Sequence, residues 1–552
     1  MLRPGCDRGG RGAARQSHDP TPNLEGSVTR PTLRSALPAA LALLVAAPLA
    51  AQREPRGPTA AAVQRSVETI TAAGFLQRLG VIADDSMRGR DTPSPELDKT
   101  ADYVAAEFAR LGLRPAGDNG TFLQRYLIRR TQLDTGGFVM ATGRGAVSRW
   151  ALGREVASQG GALPESTVTG PAVLLVGLPA DTARSFGEVD LRGAVVFQTL
   201  PLSALARQDR ILATVTRGAA AGARAWILLL NLPPQAIAGM ARGALRPQNR
   251  VPGVGGLLPL PLLQLRDSSA AAVLGAAGHE LAAIRDTSVH TIHALPGFTV
   301  TVSAPQRLLS ETSAPNVVGI LEGSDPQLRN EYVVFTGHMD HVGVTADGRC
   351  VAAGADSICN GADDDGSGTI GVVELARAFA ALTPRPRRSL VFVTVSGEER
   401  GLWGSEWYVA HPARPLAQHV ADLNLDMISR NWRDSIAVLG KEMSTLGEVA
   451  NRLTRDHPEL GMRLVDDPEH NRFFMQSDHY SFATRGVPVL CFSSGTHPEL
   501  HTASDDLSRI DADKAARVLK MVFYVALDVA NAAQRPVGDA AVRQRVVRET
   551  QP

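Results

Sequence analysis

Short apolar runs, separated by polar and glycine- or proline-rich stretches, set the rhythm of this chain. From about residue 310 onward the runs Tyr332–Thr336, Leu390–Val395, Leu423–Met427, Ile436–Leu439 and Val487–Phe492 are short and rich in β-branched residues, as strands are. Between them, Thr369–Leu382 and Met443–Thr454 read as helices, and Asp511–Ala533 carries an apolar stripe. Alternation of this kind predicts an α/β domain with a mixed, largely parallel central sheet flanked by helices. Ligand sites in such sheets form at the carboxyl ends of the strands.

Two other regions differ. From Val67 to about Leu127 the pattern is helical, with Leu97, Ala101, Val104, Ala105, Phe108 and Leu111 on one face; Gly112 stops that helix and residues 115–120 form a loop. Between about 130 and 300 short β-rich runs dominate (Ala172–Val176, Ala194–Phe197, Ala225–Leu230), with one helical stretch at Ile211–Ala221. Few residues there can do chemistry, so the region reads as a β-rich domain inserted into a catalytic one. The expected organisation is a signal peptide or leader over 1–51, a linker over 52–66, and catalytic segments over 67–130 and 306–533. The insertion spans 131–305, and a frayed polar tail covers 534–552.

A length of 552 residues exceeds one ordinary core. A net charge of +1 without a long basic run argues against nucleic acid as a partner. Arg30 and Arg34 precede the apolar stretch Ala36–Ala51, which is short for a membrane span and ends in small residues. This reads as an export signal, with an uncleaved anchor as the alternative. The long polar stretch before Arg30 suggests that the start codon lies further in. An exported protein, periplasmic or extracellular, can oxidise Cys350 and Cys359, which flank one loop; whether they are bonded stays open at this point. Cys491, in an apolar run, reads as a buried thiol, and no other segment is long and apolar enough to span a membrane.

Chemistry concentrates where strands hand over to loops. His338 and Asp340 follow one apolar run; spaced by two, they point to the same side of an extended segment, so the carboxylate can hydrogen-bond the second imidazole nitrogen. Asp363-Asp364-Asp365 lie in a glycine-rich loop before a helix, where mutual repulsion is relieved by a cation; a solvated turn is the commoner fate of such a cluster. Glu398-Glu399 close the next run, and adjacent residues point different ways, so one can bind metal while the other acts as general base. Asp426, between Leu425 and Met427, is costly to bury unpaired and calls for a metal or a salt bridge, for example to Arg430. His501 comes last, in a polar loop.

Taken together, Gly-His-Met-Asp (337–340), Gly-Ala-Asp-Asp-Asp-Gly-Ser-Gly (361–368), Ser-Gly-Glu-Glu-Arg-Gly-Leu-Trp-Gly-Ser (396–405), Asn-Leu-Asp-Met-Ile (424–428) and His-Thr-x-x-Asp (501–505) resemble the blocks of the co-catalytic di-zinc exopeptidases. That family includes secreted bacterial leucyl aminopeptidases and glutamate carboxypeptidase II. The resemblance covers about 67–127 and 310–532; residues 188–196 and 221–225 look, more loosely, like a protease-associated domain. It implies the zinc exopeptidase fold, two Zn2+ ions, and peptides or small proteins as substrates. Asp364 would bridge the metals, with a cis peptide to Asp365; His338 and Asp426 would complete one site, Glu399 and His501 the other. Glu398 would be the general base and Asp340 the partner of His338. Leu500 departs from the pattern, because many relatives have an oxyanion-stabilising tyrosine there; either Tyr480 or the second zinc takes its place. Asp478 and His479 shape the pocket on this reading, while His341, His470 and His497 read as structural or surface residues. The expected activity is that of an aminopeptidase, with a carboxypeptidase or dipeptidase of the same family, or a non-catalytic binding protein on this scaffold, as alternatives.

Overall fold

The computed structural model describes residues 57–158, 167–179, 186–254, 260–285, 289–466 and 474–542. The expected leader over 1–51 and His470 lie outside them. Among the described residues no helix is long and apolar enough to cross a membrane.

Two sheets organise the chain. The middle of the first, ten-stranded sheet is parallel: Tyr332–His338 lies between Ser389–Val395 and His419–Leu425, and Val489–Ser493 continues beyond the latter. The first three of these strands are buried along their whole length, which accounts for continuous apolar runs where a half-exposed strand would alternate. Alternation still sorts the side chains: Phe335 and Phe392 stack at 4.9 Å on the face covered by helices Gly368–Ala381 and Ala512–Asn531. Val334, Val391 and Val393 face Tyr408 and Phe482 on the other side. Antiparallel strands flank this centre, Ser435–Leu439 on one side and Gln306–Leu321 followed by Leu123–Leu133 on the other. The sheet is thus mixed, with a parallel centre and helices on both faces.

The second, eight-stranded sheet draws its strands from Phe138 to Ser303 and has its own core around Val139, Phe197, Ile227 and Leu265. Val168–Val176, Val195–Leu200, Ala225–Leu230 and Leu262–Arg266 run parallel at its centre. The region is less purely β than its sequence suggests. Beside Gln208–Ala220, helices form at Pro234–Ala244 and Asp267–Ala276. The short strand Gln248–Arg250 leaves this region to pair with Leu123–Leu133 in the first sheet.

Three expectations fail. Residues 52–66 are not simply a linker: Ala60–Val67 is a helix capped by the Thr59 hydroxyl, buries Val67, and donates a hydrogen bond from Ser66 to the Ala378 carbonyl. The helical reading of 67–127 breaks at Leu123–Leu133, a strand whose partner Gln306–Leu321 is far away in sequence. The tail past 533 is docked over part of its length, since Val537 donates to the Thr445 hydroxyl (3.0 Å) and Asp539 to the Met443 carbonyl (2.8 Å).

Candidate metal centre

Three adjacent parallel strands deliver the site. His338 is the last residue of its strand and lies level with Val395, the last of the next one. Glu398 and Glu399 follow Val395, and Asp426 follows Leu425. Asp364 sits in the turn Ala362–Ser367 that leads into helix Gly368–Ala381, and His501 in the loop after Val489–Ser493.

The neighbours of Asp364 show how that turn is fixed. Asp365 accepts from the His338, Met427 and Gly368 N–H groups at 2.9–3.1 Å, joining two strand ends to the helix start. Gly368 permits this closeness, because a Cβ there would lie 2.2 Å from the Leu425 carbonyl. Asp363 accepts from the backbone and hydroxyl of Ser429, and Asp505 accepts from the N–H groups of Asp363 and Asp364. Only the middle carboxylate is left to face the cluster. The Asp364–Asp365 peptide is cis.

Asp364 presents its two oxygens to two groups of donors. Oδ1 lies 3.4 Å from His338 Nε2, which is 3.9 Å from Asp426 Oδ1. Oδ2 lies 3.2 Å from His501 Nε2, which is 3.1 Å from Glu399 Oε1. Each group could hold one cation. Glu398 Oε2 stands 3.9 Å from His338 Nε2. Arg430 binds Glu499 at 2.8 Å, so the salt bridge considered for Asp426 is not formed with it.

Two details differ from expectation. The Asp340 carboxylate does not hydrogen-bond His338: Oδ1 stands 3.7 Å from Nδ1, beyond hydrogen-bond reach, and the Asp340 carbonyl takes that role at 3.0 Å. The chain turns after His338, so the alternation that would put both side chains on one side no longer applies. The carboxylate accepts instead from the Glu398 N–H at 3.3 Å, tying the two loops together. His341, read as structural or surface, is buried against Glu399 and Asp364 in the second donor group. His497 is buried beside Asp363 and Glu499, and Tyr480 lies edge-on to Phe474.

Sequence reasoning passed over Arg90. Its buried guanidinium donates to the carbonyls of Ile82, Met339, Asn360 and Gly361 at 2.6–2.9 Å, clamping the two loops that carry His338 and Asp364. An Arg-Gly-Arg in a polar segment gives no signal of this. Cys350 and Cys359 are bridged, and the loop they close holds the His501 carbonyl through the Val351 N–H at 3.0 Å. Cys491 is a buried free thiol.

The electrostatics suit a cation. Burial pushes the imidazoles down, yet the carboxylates outweigh it, lifting His341 to about 8 and His501 to about 10. Burial, reinforced by Glu399, Asp478 and Asp426 against the opposing His338, holds Glu398 well above the usual carboxylate range. Buried Glu399 Oε1 and Asp340 Oδ2 make no hydrogen bond. Imidazole nitrogens and carboxylate oxygens around such orphaned atoms are donors that fit Zn2+.

Residues 316–526 match the model of peptidase family M28. A probable zinc metalloprotease of Pyricularia oryzae is 32% identical over 283 residues, 43% of this chain and 54% of that protein. Aminopeptidase YwaD of Bacillus subtilis is 22% identical over 42% of this chain and 48% of its own length. This chain thus spans about half the length of these relatives. Among solved structures, an aminopeptidase from Aneurinibacillus sp. strain AM-1 aligns over 86% of this chain and 98% of its own, with 19% identity and a TM-score of 0.46. The stretch similar to peptidase family M28 includes His338, Asp364, Glu399, Asp426 and His501.

Proposed function

We propose that the protein is an exported di-zinc aminopeptidase that hydrolyses peptide bonds with an activated water. The observation that carries this reading is the split of Asp364, one oxygen toward His338 and Asp426, the other toward Glu399 and His501. His338, Asp364 and Asp426 would hold one Zn2+, and Asp364, Glu399 and His501 the other. The ions would lower the pKa of water and polarise the scissile carbonyl. Glu398 takes the proton from the attacking water and passes it to the leaving amine nitrogen as the C–N bond breaks; its raised affinity for protons suits both transfers. Asp340 positions Glu398 through its backbone N–H.

Arg349 and Arg400, which flank Glu399, direct their guanidinium groups to Asp91. Neither is free to receive a substrate carboxylate, which favours attack from the amino terminus over a carboxypeptidase. The disulfide is consistent with export. The test is digestion of a peptide panel blocked and unblocked at each end. Release of the amino-terminal residue only from peptides with a free amine is expected. Cleavage confined to peptides with a free carboxylate would make the protein a carboxypeptidase, and no zinc-dependent cleavage would refute a peptidase.

A further inference from the structure

His341 is fully buried, and neither of its ring nitrogens makes a hydrogen bond. Nδ1 lies 3.1 Å from Glu399 Oε1 and 3.4 Å from Asp364 Oδ2. His501 Nε2 approaches the same two oxygens at 3.1 and 3.2 Å. All four separations are close to one length. A charge-assisted hydrogen bond between an imidazole and a carboxylate would be shorter, about 2.7–2.9 Å. Donors at the corners of a tetrahedron around Zn2+, each about 2.0–2.1 Å from the ion, stand about 3.3 Å from one another. The two rings meet edge to face, with centroids 5.5 Å apart.

The backbone is built around this ring. Gly361 is in the left-handed region (φ 55°), and a Cβ on it would lie 2.5 Å from His341 Cγ and 2.7 Å from Cδ2. Arg90 holds the carbonyls of Gly361 and of Met339, two residues before His341.

We infer that His341 is a sixth protein ligand, supplying with Asp364, Glu399 and His501 a fourth donor to one of the two cation positions. The inference rests on the di-zinc reading above. It makes the pair unequal: four protein donors surround one position and three the other. A closed set of four is the mark of a tightly held zinc, whereas three protein donors leave a place for water or substrate. The His338–Asp426 position is therefore the exchangeable, substrate-binding one, and the His341 position fills first.

The full chain, stripped by chelation and titrated with zinc against a chromophoric chelator, tests this. The wild type is expected to take two zinc ions per chain, one at least about tenfold tighter than the other. In His341→Ala the tighter site should weaken at least about 10–100-fold, the loss that even an outer partner of a ligand commands. His338→Ala should weaken the other site instead. Circular dichroism of the metal-free forms controls for folding. Because the alanine variant can fail that control, His341→Cys provides a second arm: loaded with Co2+, it should show a thiolate-to-metal charge-transfer band absent from the wild type. A folded His341→Ala with both affinities unchanged overturns the inference, as does a folded His341→Cys with no such band. A wild-type chain that binds no zinc overturns the di-zinc reading itself.

Discussion

Both sheets place a block of adjacent parallel strands at their centre, and in either one a ligand could gather at the carboxyl ends. In the second sheet those strands run out into Gly177, Pro201, Asn231 and Asp267. Asp267 is the only acidic residue of the four, and it is satisfied: Arg285 donates to it at 2.6 and 3.2 Å, and the Ser268 N–H at 2.6 Å. In the first sheet the same topological position collects Asp340, Asp364, Glu398, Glu399 and Asp426, with buried oxygens of Asp340 and Glu399 lacking any hydrogen bond. Strand direction offers a place for a ligand. Negative charge buried beyond what the local cations offset makes that place a site.

The largest effect expected from breaking this contrast is on turnover. Glu398→Gln keeps the shape and removes the proposed proton carrier, so kcat should fall by about 10²–10⁴ while zinc content, read by elemental analysis, stays at the wild-type value. Asp364→Ala should empty both cation positions, since each uses one of its oxygens. Asp267→Ala is the matched control in the other sheet. It should leave zinc content and turnover unchanged and cost about 1–3 kcal/mol in denaturant unfolding, the penalty for stranding Arg285 and the Ser268 N–H. Loss of zinc from Asp267→Ala would dissolve the contrast.

The first sheet was the more legible of the two. Its central strands are buried on both faces, so each shows as an unbroken apolar run, and the polar residue ending the run is conspicuous. His338, Glu398, Glu399 and Asp426 stood out for that reason, and the fold brings them near Asp364 and His501. His341 did not stand out, because its role depends on how the chain turns after His338 and on the missing Cβ of Gly361, which lies twenty residues further on. Arg90 was invisible for a similar reason: its four partners are backbone carbonyls, which carry no residue signature. The strand Leu123–Leu133 was lost because a long-range partner decides its conformation.

Smaller effects should follow from the supports of the first sheet. Arg90→Met leaves four carbonyls without donors in a buried setting, so a loss of roughly 3–5 kcal/mol and weaker zinc retention are expected. Opening the Cys350–Cys359 bridge with paired serines frees a loop of sequence separation 9, worth roughly 2–3 kcal/mol by loop entropy. Because that loop holds the His501 carbonyl, zinc retention should fall along with stability. Unchanged zinc retention in both variants would mean that the cluster is held by the strand ends alone.

The smallest effect concerns acid. His419, at the start of a central strand of the first sheet, meets the Tyr408 hydroxyl at 3.0 Å, and burial pushes it down to about 4; burial likewise pushes His479 down to about 3. Both are neutral in the folded protein at pH values where the unfolded chain, titrating near 6.5, already takes a proton. The unfolded state therefore binds more protons between about pH 6.5 and 4, and stability must fall as pH drops through that window. Each group contributes at most roughly 1.4 kcal/mol per pH unit there. His419→Gln, which cannot titrate, should flatten the slope of unfolding free energy between pH 6.5 and 4 while leaving the His479 share in place. Since no titrating histidine of the second sheet is buried to this degree among the described residues, acid should loosen the first sheet before the second. Hydrogen exchange at pH 5 that opened the second sheet first would contradict this order.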